Sequence, residues 1–498
     1  MNSRPLVVLP LLLLALIAAP VGAQTLTPEE ALRSTIARNP QMQELGLTLR
    51  AATLDAEAQM SLRPFTLRGD TGFQFDEQPS VGVIESGVRQ TTTFRGSAEL
   101  LKQFVIGTSL SLRLDVNRTV SEIPFTVPDL GISETRVFGP NYFTGLTLAA
   151  TQPLLRGAGK ELGNLPLTLA QQQVDVARLQ KLRAANDLVA EVLNAYWAWV
   201  GAYFTLESQR NSLARTRVLS EATIAQIEAG QLAELERDIV AQRIAAAEQG
   251  IVAAEAAVID AAEALRKTMG IAIAVDVAFQ PPRLVPTDPP DVMTMEEALQ
   301  YARATNPDLR LLDQEVRTSE LSLVRARDLV KPQLDAVATV SQLGLAEDII
   351  DSLEQVGTFD FTSVFIGLQF GVPLDNRLAK KQLEADEVAL EAARLRREQA
   401  LREVELRLRR ARRLLETQKR RLALSETEIE LARKNLAAMQ DKFRAGLASN
   451  LEVLQLEEDL SAAEARYNQA RLDVATSRIG LRRVTGTLLD HWGVELER

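Results

Sequence analysis

The stretch TPEEALRSTIARNP at Thr27 to Pro40 returns 267 residues later as TMEEALQYARATNP at Thr294 to Pro307, with Thr, Glu-Glu-Ala-Leu and Asn-Pro in register. A second set of matches follows at an offset of 216: Ile227-Glu228-Ala229-Gly230 with Phe443-Arg444-Ala445-Gly446, and Met269-Gly270 with Thr485-Gly486. Two offsets describe one duplication with unequal gain or loss between the matched parts, so the chain is read as two structural repeats. The expected layout is a signal peptide over 1–23, a first repeat over 24–292, a second over 293–486 and a tail over 487–498.

The N-terminus supplies the address. Arg4 is a positive start, Leu6 to Ala19 a short apolar run, and Val21-Gly22-Ala23 ends in the small residues that a signal peptidase needs. A cleaved secretory signal is expected, with a mature start near Gln24. The 498 residues contain no Cys, which excludes disulfides and thiolate metal sites. His491 is the only His, so no His-dependent catalytic site or transition-metal site is expected, and no carboxylates form an acid/base pair. Neither an enzyme nor a cofactor is expected. A net charge of −10 argues against nucleic acid as a partner. No later apolar run reaches about 18 residues, so a membrane role has to come through strands.

Two segments, Lys160 to about Glu228 and about Arg377 to Ala445, carry apolar residues at three- and four-residue spacing, for example Leu188, Val192, Ala195 and Trp199. Each has room for roughly 70 helical residues, about 100 Å of helix. The Ala-Gly pairs at 229 and 445 end them, and return helices are expected over about 231 to 269 and 449 to 485. Each repeat also opens with an expected helix, about Pro28 to Met60 and Met295 to Val330. One opening helix stacked on one return helix matches one long helix, which predicts composite antiparallel pairs.

Between the opening and long helices the period changes to two. Leu110, Leu112, Leu114 and Val116 alternate with polar residues, as do Val364, Ile366, Leu368 and Phe370 with Phe365, Gly367 and Gln369. At least four strands are expected, about 66 to 75, 143 to 152, 334 to 343 and 361 to 371; whether residues 92 to 118 add a hairpin that the second copy lacks is left open by the sequence. Four strands cannot close a membrane barrel and open edges are excluded in lipid, so several chains must share one.

Other signals carry less. Gly157-Ala158-Gly159-Lys160 lacks the Ser or Thr of a phosphate loop. The aromatic cluster Tyr196, Trp197, Trp199, Tyr203 and Phe204 reads as helix packing, and Arg402 to Arg421, interleaved with Glu403, Glu405 and Glu416, as a solvated face.

Ala31-Leu32 to Asn39-Pro40 and its copy Ala298-Leu299 to Asn306-Pro307, Pro64 and Pro332 before strands, Gln152-Pro153-Leu154 after one, and KFRAGLASNLEVLQLEEDLSAAEARYNQA from Lys442 to Ala470 occur in this order. Together they resemble the TolC family of outer-membrane efflux proteins over about Leu26 to Gly486. The resemblance implies a mainly α protein with a β-barrel portion: long helical hairpins forming a periplasmic tunnel, and about four strands per chain in a barrel shared by a homotrimer. It implies residence among the lipids of a Gram-negative outer membrane, with a periplasmic adaptor (membrane fusion) protein and an inner-membrane pump as partners. The turns at Gly230 and Gly446 become the periplasmic tips that meet the adaptor. Counted from the matched Gly, the family's acidic aperture positions fall on Glu452 and Gln455. Its network aromatic falls on Phe443, without a hydroxyl, and that residue's acidic partner on Glu236. Glu452 and Glu236 also read as ordinary first-turn glutamates favoured by the helix dipole, and the two readings are compatible. The expected function is a passive exit duct. The alternatives are a non-conducting envelope scaffold and a soluble coiled-coil adaptor.

Overall fold

A computed structural model describes residues 26–61, 63–81, 86–127, 132–270, 293–494 and 496. The expected signal peptide lies outside them. The chain divides into two compact units, one drawn from residues up to Gly46, Gln180–Arg310 and Ala400 onward, the other from Leu47–Leu179 and Leu311–Gln399. Each unit takes segments from both repeats.

The repeated motif builds a joint. Helices α1 (Pro28–Arg38) and α5 (Met295–Thr305) both open with a capping box: Thr27 and Thr294 accept from the backbone N–H of Glu30 and Glu297 at 3.3 and 3.2 Å, and those carboxylates accept the return bonds at 3.1 and 2.7 Å. Both helices stop at Asn-Pro, where the expectation was one continuous opening helix. Proline pushes the residue before it out of the helical region, and Asn39 and Asn306 sit at ψ 123° and 119°. The chain restarts as α2 (Pro40–Ser61) and α6 (Pro307–Leu329).

The asparagine serves both sides of the break. Its Oδ1 accepts the N–H of Gln41 or Asp308, each at 2.9 Å, and its Nδ2 donates to the last turn of a return helix, Thr268 O at 3.2 Å or Val484 O at 2.8 Å. Those return helices are α4 (Leu235–Met269) and α9 (Asn450–Thr485), and both end in a glycine of positive φ, Gly270 at 75° and Gly486 at 78°. A side chain on Gly270 would stand 3.1 Å from Asn39 Cα, and one on Gly486 3.0 Å from Thr305 O. The Asn-Pro matches and the Met269-Gly270 and Thr485-Gly486 matches are therefore one junction made twice, with two short helices meeting at it. The long helices α3 (Lys160–Glu228) and α8 (Arg377–Arg444) hold 69 and 68 residues, and α3 passes through Pro166 near its start.

At the first-repeat junction the core of the unit is Tyr196, Trp197, Trp199 and Val200 of α3, packed with Ala31, Leu32, Leu265, Met269 and with Leu488 and Leu489 of α10 (Leu488–His491). The aromatic cluster is thus helix packing. Tyr196 donates its hydroxyl to Leu26 O at 2.9 Å, and burial pushes its phenol above the usual range.

All six strands lie in the other unit: β1 (Thr66–Val81), β2 (Ser86–Gln103), β3 (Ser109–Val127), β4 (Ile132–Pro153), β5 (Gln333–Ala346) and β6 (Phe361–Gly371). They pair antiparallel in chain order, leaving β1 and β6 as edges. The fold class stands and the strand count rises from about four to six, because residues 92 to 118 are the hairpin arm of β2 and β3. The first repeat supplies four strands and the second two.

Register places Leu67, Phe73, Phe94, Leu100, Leu112, Leu114, Leu148, Val340, Val364 and Ile366 on one face of the sheet. Many of these are open to the outside, Leu67 at 74% and Ile366 at 80%. Beyond this belt both faces become mixed: Gln90 stands opposite Glu122 and Thr91 opposite Ser121, while Glu122 and Ser121 pair onward with Val137 and Phe138. The alternating signal vanishes there, which is why β1 to β4 run longer than their periodic parts. Between β5 and β6, helix α7 (Ile349–Thr358) is capped by Asp348 and rests on the sheet through Ser352, bonded to Thr144.

Candidate functional site at the hairpin tips

The two tips share one turn. Gly230 and Gly446 both adopt φ 71°, and the N–H one residue further reaches back to the helix end, Gln231 to Gln226 O at 2.9 Å and Leu447 to Lys442 O at 2.8 Å. This six-to-one bond with a left-handed glycine satisfies carbonyls that the helix end leaves open.

Past the turn the tips differ. The first return helix starts after Glu234, itself helical at φ −58°, ψ −28°, with no side-chain cap. The second starts after Ser449, whose hydroxyl accepts from Glu452 N at 3.3 Å, while the Glu452 carboxylate accepts from the Ser449 N–H at 2.7 Å and its hydroxyl at 2.9 Å. Those bonds, the backbone one first, hold the Glu452 carboxyl below the usual range. Glu452 is exposed, and so is Gln455 one turn on. Asp459, seven residues from Glu452 and not singled out in the sequence, extends the same exposed face.

The other two expected aperture residues lie elsewhere in the bundle. Phe443 is 2% exposed, packed with Leu219, Ile429, Leu436, Val453 and Leu454, and its carbonyl accepts Gln226 Nε2 at 2.9 Å. Glu236 accepts Asn450 Nδ2 at 3.2 Å, tying the start of α4 to the start of α9. Each of these two contacts crosses from one repeat to the other.

A polar seam between α3 and α9 carries the largest such crossing, and the sequence reading missed it. Arg215 Nε meets Glu457 Oε2 at 3.1 Å, and its Nη2 reaches Glu464 at 3.5 Å and Ser461 at 3.4 Å. Ser208 donates to Glu464 at 3.1 Å and Ser461 to Ser212 at 3.2 Å. The Glu457 side chain is 3% exposed, and burial pushes its carboxyl up against the opposing pull of Arg215. One of its oxygens has no partner. The signal lay in spacing: Ser208, Ser212 and Arg215 face Glu457, Ser461 and Glu464, both sets at helical intervals on stripes that are otherwise apolar.

Surface ion pairs give the helix order. Arg210 with Glu255 at 2.7 Å and Arg217 with Glu248 at 2.8 Å join α3 to α4, the seam joins α3 to α9, and Arg466 with Glu428 at 2.7 Å joins α9 to α8. Arg243 with Glu458 at 3.4 Å joins α4 to α9 as well, so α4 and α8 are the two of the four helices that these pairs do not join to each other. Both carry a second apolar stripe away from the core, Val252 and Ile259 on α4 and Leu406, Leu424 and Leu431 on α8, all exposed.

Residues 298–487 match the family model described as outer membrane efflux protein. No curated protein matches the sequence. Among solved structures, the outer-membrane channel OprN aligns at 16% identity over 92% of this chain and 89% of its own, with a TM-score of 0.64. The outer membrane protein VceC of Vibrio cholerae aligns at 13% identity over 92% and 96%, TM-score 0.62. The open state of the MtrE outer membrane channel of Neisseria gonorrhoeae aligns at 14% over 93% and 89%, TM-score 0.63. Residues 298–487 of this chain thus resemble the outer membrane efflux protein family in sequence, and the chain as a whole has the fold of these outer-membrane channels.

Proposed function

We propose that the chain is one stave of a homotrimeric exit duct, which passively conducts cargo delivered by a periplasmic adaptor and an inner-membrane pump across the outer membrane. The observation that carries this reading is that the molecule has open edges of two kinds. Strands β1 and β6 end the sheet, and helices α4 and α8, which those ion pairs do not join to each other, bear exposed apolar stripes. Unpaired strand edges beside an apolar belt cannot stand in lipid, and apolar stripes of this kind mark self-association. Further copies close both edges at once. A soluble adaptor has no use for the apolar face of the sheet.

In this reading the exposed Glu452, Gln455 and Asp459 face the tunnel, Phe443 and Glu236 hold the inner and outer hairpins together, and Gly230 and Gly446 shape the tips that the adaptor meets. Three Glu452 carboxylates, kept ionised by Ser449, favour cations at the aperture. Purified protein in planar bilayers is expected to show small, cation-preferring conductance, weakened in preference by Glu452→Ala. Unchanged selectivity removes Glu452 from the aperture, and no conductance even from a variant with the Arg215 seam broken removes the duct.

A further inference from the structure

Strands β2 and β3 have no counterpart in the second repeat, and a hairpin added to a channel protein can lie in the wall, fold into the lumen as a plug, or project from the rim. The register decides between these. Phe94 pairs with Phe73, Ala98 with Gly69 and Leu100 with Leu67 of β1; Leu100 pairs onward with Leu112, Ala98 with Leu114, Gly96 with Val116; and Leu112 and Leu114 pair with Leu148 and Leu146 of β4. Across the extra hairpin the apolar belt runs through three rows, from Gly96 to Leu100 on β2 and from Leu112 to Val116 on β3, and is bounded by Arg118 opposite Phe94 and Lys102 opposite Leu110.

The opposite face is as continuous and carries charge. Arg68, Glu99 and Arg113 stand in one row across β1, β2 and β3 with alternating sign, and Asp70, Ser97 and Asp115 form the next. Arg113 bonds Asp115 at 2.8 Å, and Ser97 donates to Asp70. The matching face of β4 to β6, at 145–149, 337–343 and 361–369, holds no charged residue. A plug would present its polar side to water all round and would break the belt. A strand pair with one apolar and one charged face, in register on both sides, is a wall.

We propose that the β2–β3 hairpin is a permanent part of the lipid-facing wall, with acyl chains as the partner of Phe94, Leu112, Leu114 and Val116, so that three copies close a barrel of eighteen strands where four-stranded protomers would close one of twelve. This rests on the trimeric duct proposed above. Barrel diameter grows roughly linearly with strand number. At a strand spacing of about 4.8 Å and a tilt of about 40° the backbone diameter is about 36 Å in place of about 24 Å. In the rows of Arg113 and Asp115 the wall of the wider bore is charged only along the arc of β1 to β3, with Asp335 of β5 on the same face nearer the strand end, so hydrated cargo meets three charged stripes at that level separated by neutral ones.

The absence of Cys makes the test clean. Single variants Leu112→Cys and Leu114→Cys, with Ser111→Cys and Arg113→Cys between them, are made in the full chain and reconstituted in phospholipid vesicles, with Leu67→Cys and Ile366→Cys as wall references. Labelling by a water-soluble maleimide is expected to be about tenfold slower at 112 and 114 than at 111 and 113, as for strands crossing a bilayer, and to match the references. Rapid labelling at 112 and 114 while 67 and 366 stay protected overturns the proposal and leaves the duct intact. Rapid labelling at 67 and 366 as well overturns both. Imaging of the unmodified trimer in lipid nanodiscs supplies the second reading: eighteen wall strands are expected, and twelve with the hairpin outside the wall overturn the proposal alone.

Discussion

The first hairpin tip and the second use one turn and two different starts. Gly230 and Gly446 have the same φ of 71° and the same six-to-one bond, yet only the second tip continues into a capping box, Ser449 with Glu452, while Glu234 caps nothing. The glycine answers a demand of backbone geometry that every antiparallel helix pair makes. The cap answers no such demand, so it is where two copies of one ancestral hairpin could diverge. The second tip thereby gains a fixed, ionised carboxylate at its exposed start, and the first gains instead a link to its neighbour through Glu236 and Asn450.

The largest expected effect comes from cutting the seam that ties the two hairpins. Arg215→Ala leaves the buried Glu457 carboxylate without its cation, and losing one partner of a buried pair costs about 3 kcal/mol or more. Hydrogen exchange over 208–219 and 454–464 is expected to accelerate, and unchanged protection there would mean that the hairpins are held elsewhere.

Smaller effects test the likeness of the turns. Gly230→Ala and Gly446→Ala each force a side chain into the left-handed region, at about 1–2 kcal/mol, and neither new methyl meets an atom within 4 Å. Equal losses of local protection at the two tips are expected; a clear inequality shows that the turns are not equivalent.

The caps should then split the tips. Ser449→Ala is expected to cost about 1 kcal/mol and fray the first turn of α9, whereas Glu234→Ala leaves α4 within experimental scatter. Equal fraying at both would undo the contrast.

The two carboxyls respond to pH with opposite sign. Glu452 is held below the usual range, so its contribution is present above the unfolded value, about 4.3, and is lost as pH falls through its lower folded value. Glu457 is pushed up, so the folded tip binds that proton more tightly than the unfolded chain, and its contribution declines as pH rises through the folded value. Glu457→Gln is expected to melt no lower than the parent at neutral pH, the two curves converging below about pH 4. A variant that melts lower at neutral pH would show the ionised pair to be a net stabiliser.

Much of the scaffold was legible in the chain. Thr-x-x-Glu, Asn-Pro and Met-Gly or Thr-Gly each mark a local event, a cap, a break or a left-handed end, and local events are written in a few adjacent residues. The long helices and the alternating parts of the strands were legible for the same reason. The far halves of β1 to β4 were not, since polar and apolar residues there share both faces and the alternation disappears. Nor was the seam, because a buried Arg or Glu reads in sequence like any exposed one, and its worth depends on which stripe of which helix lies opposite.

By itself, then, the sequence determined that the chain is a duplication, where the long helices end in their glycine turns, and that its strands have an apolar side. Tertiary structure alone decided that the two matched motifs meet at one junction, that Glu457 sits across from Arg215 while Glu452 stays in water, and that the extra hairpin joins its neighbours in register. The division follows from range. Caps and turns are set by hydrogen bonds between residues a few positions apart, whereas burial, pairing and the sign of a pKa shift are set by partners some 240 residues away, as Arg215 and Glu457 are.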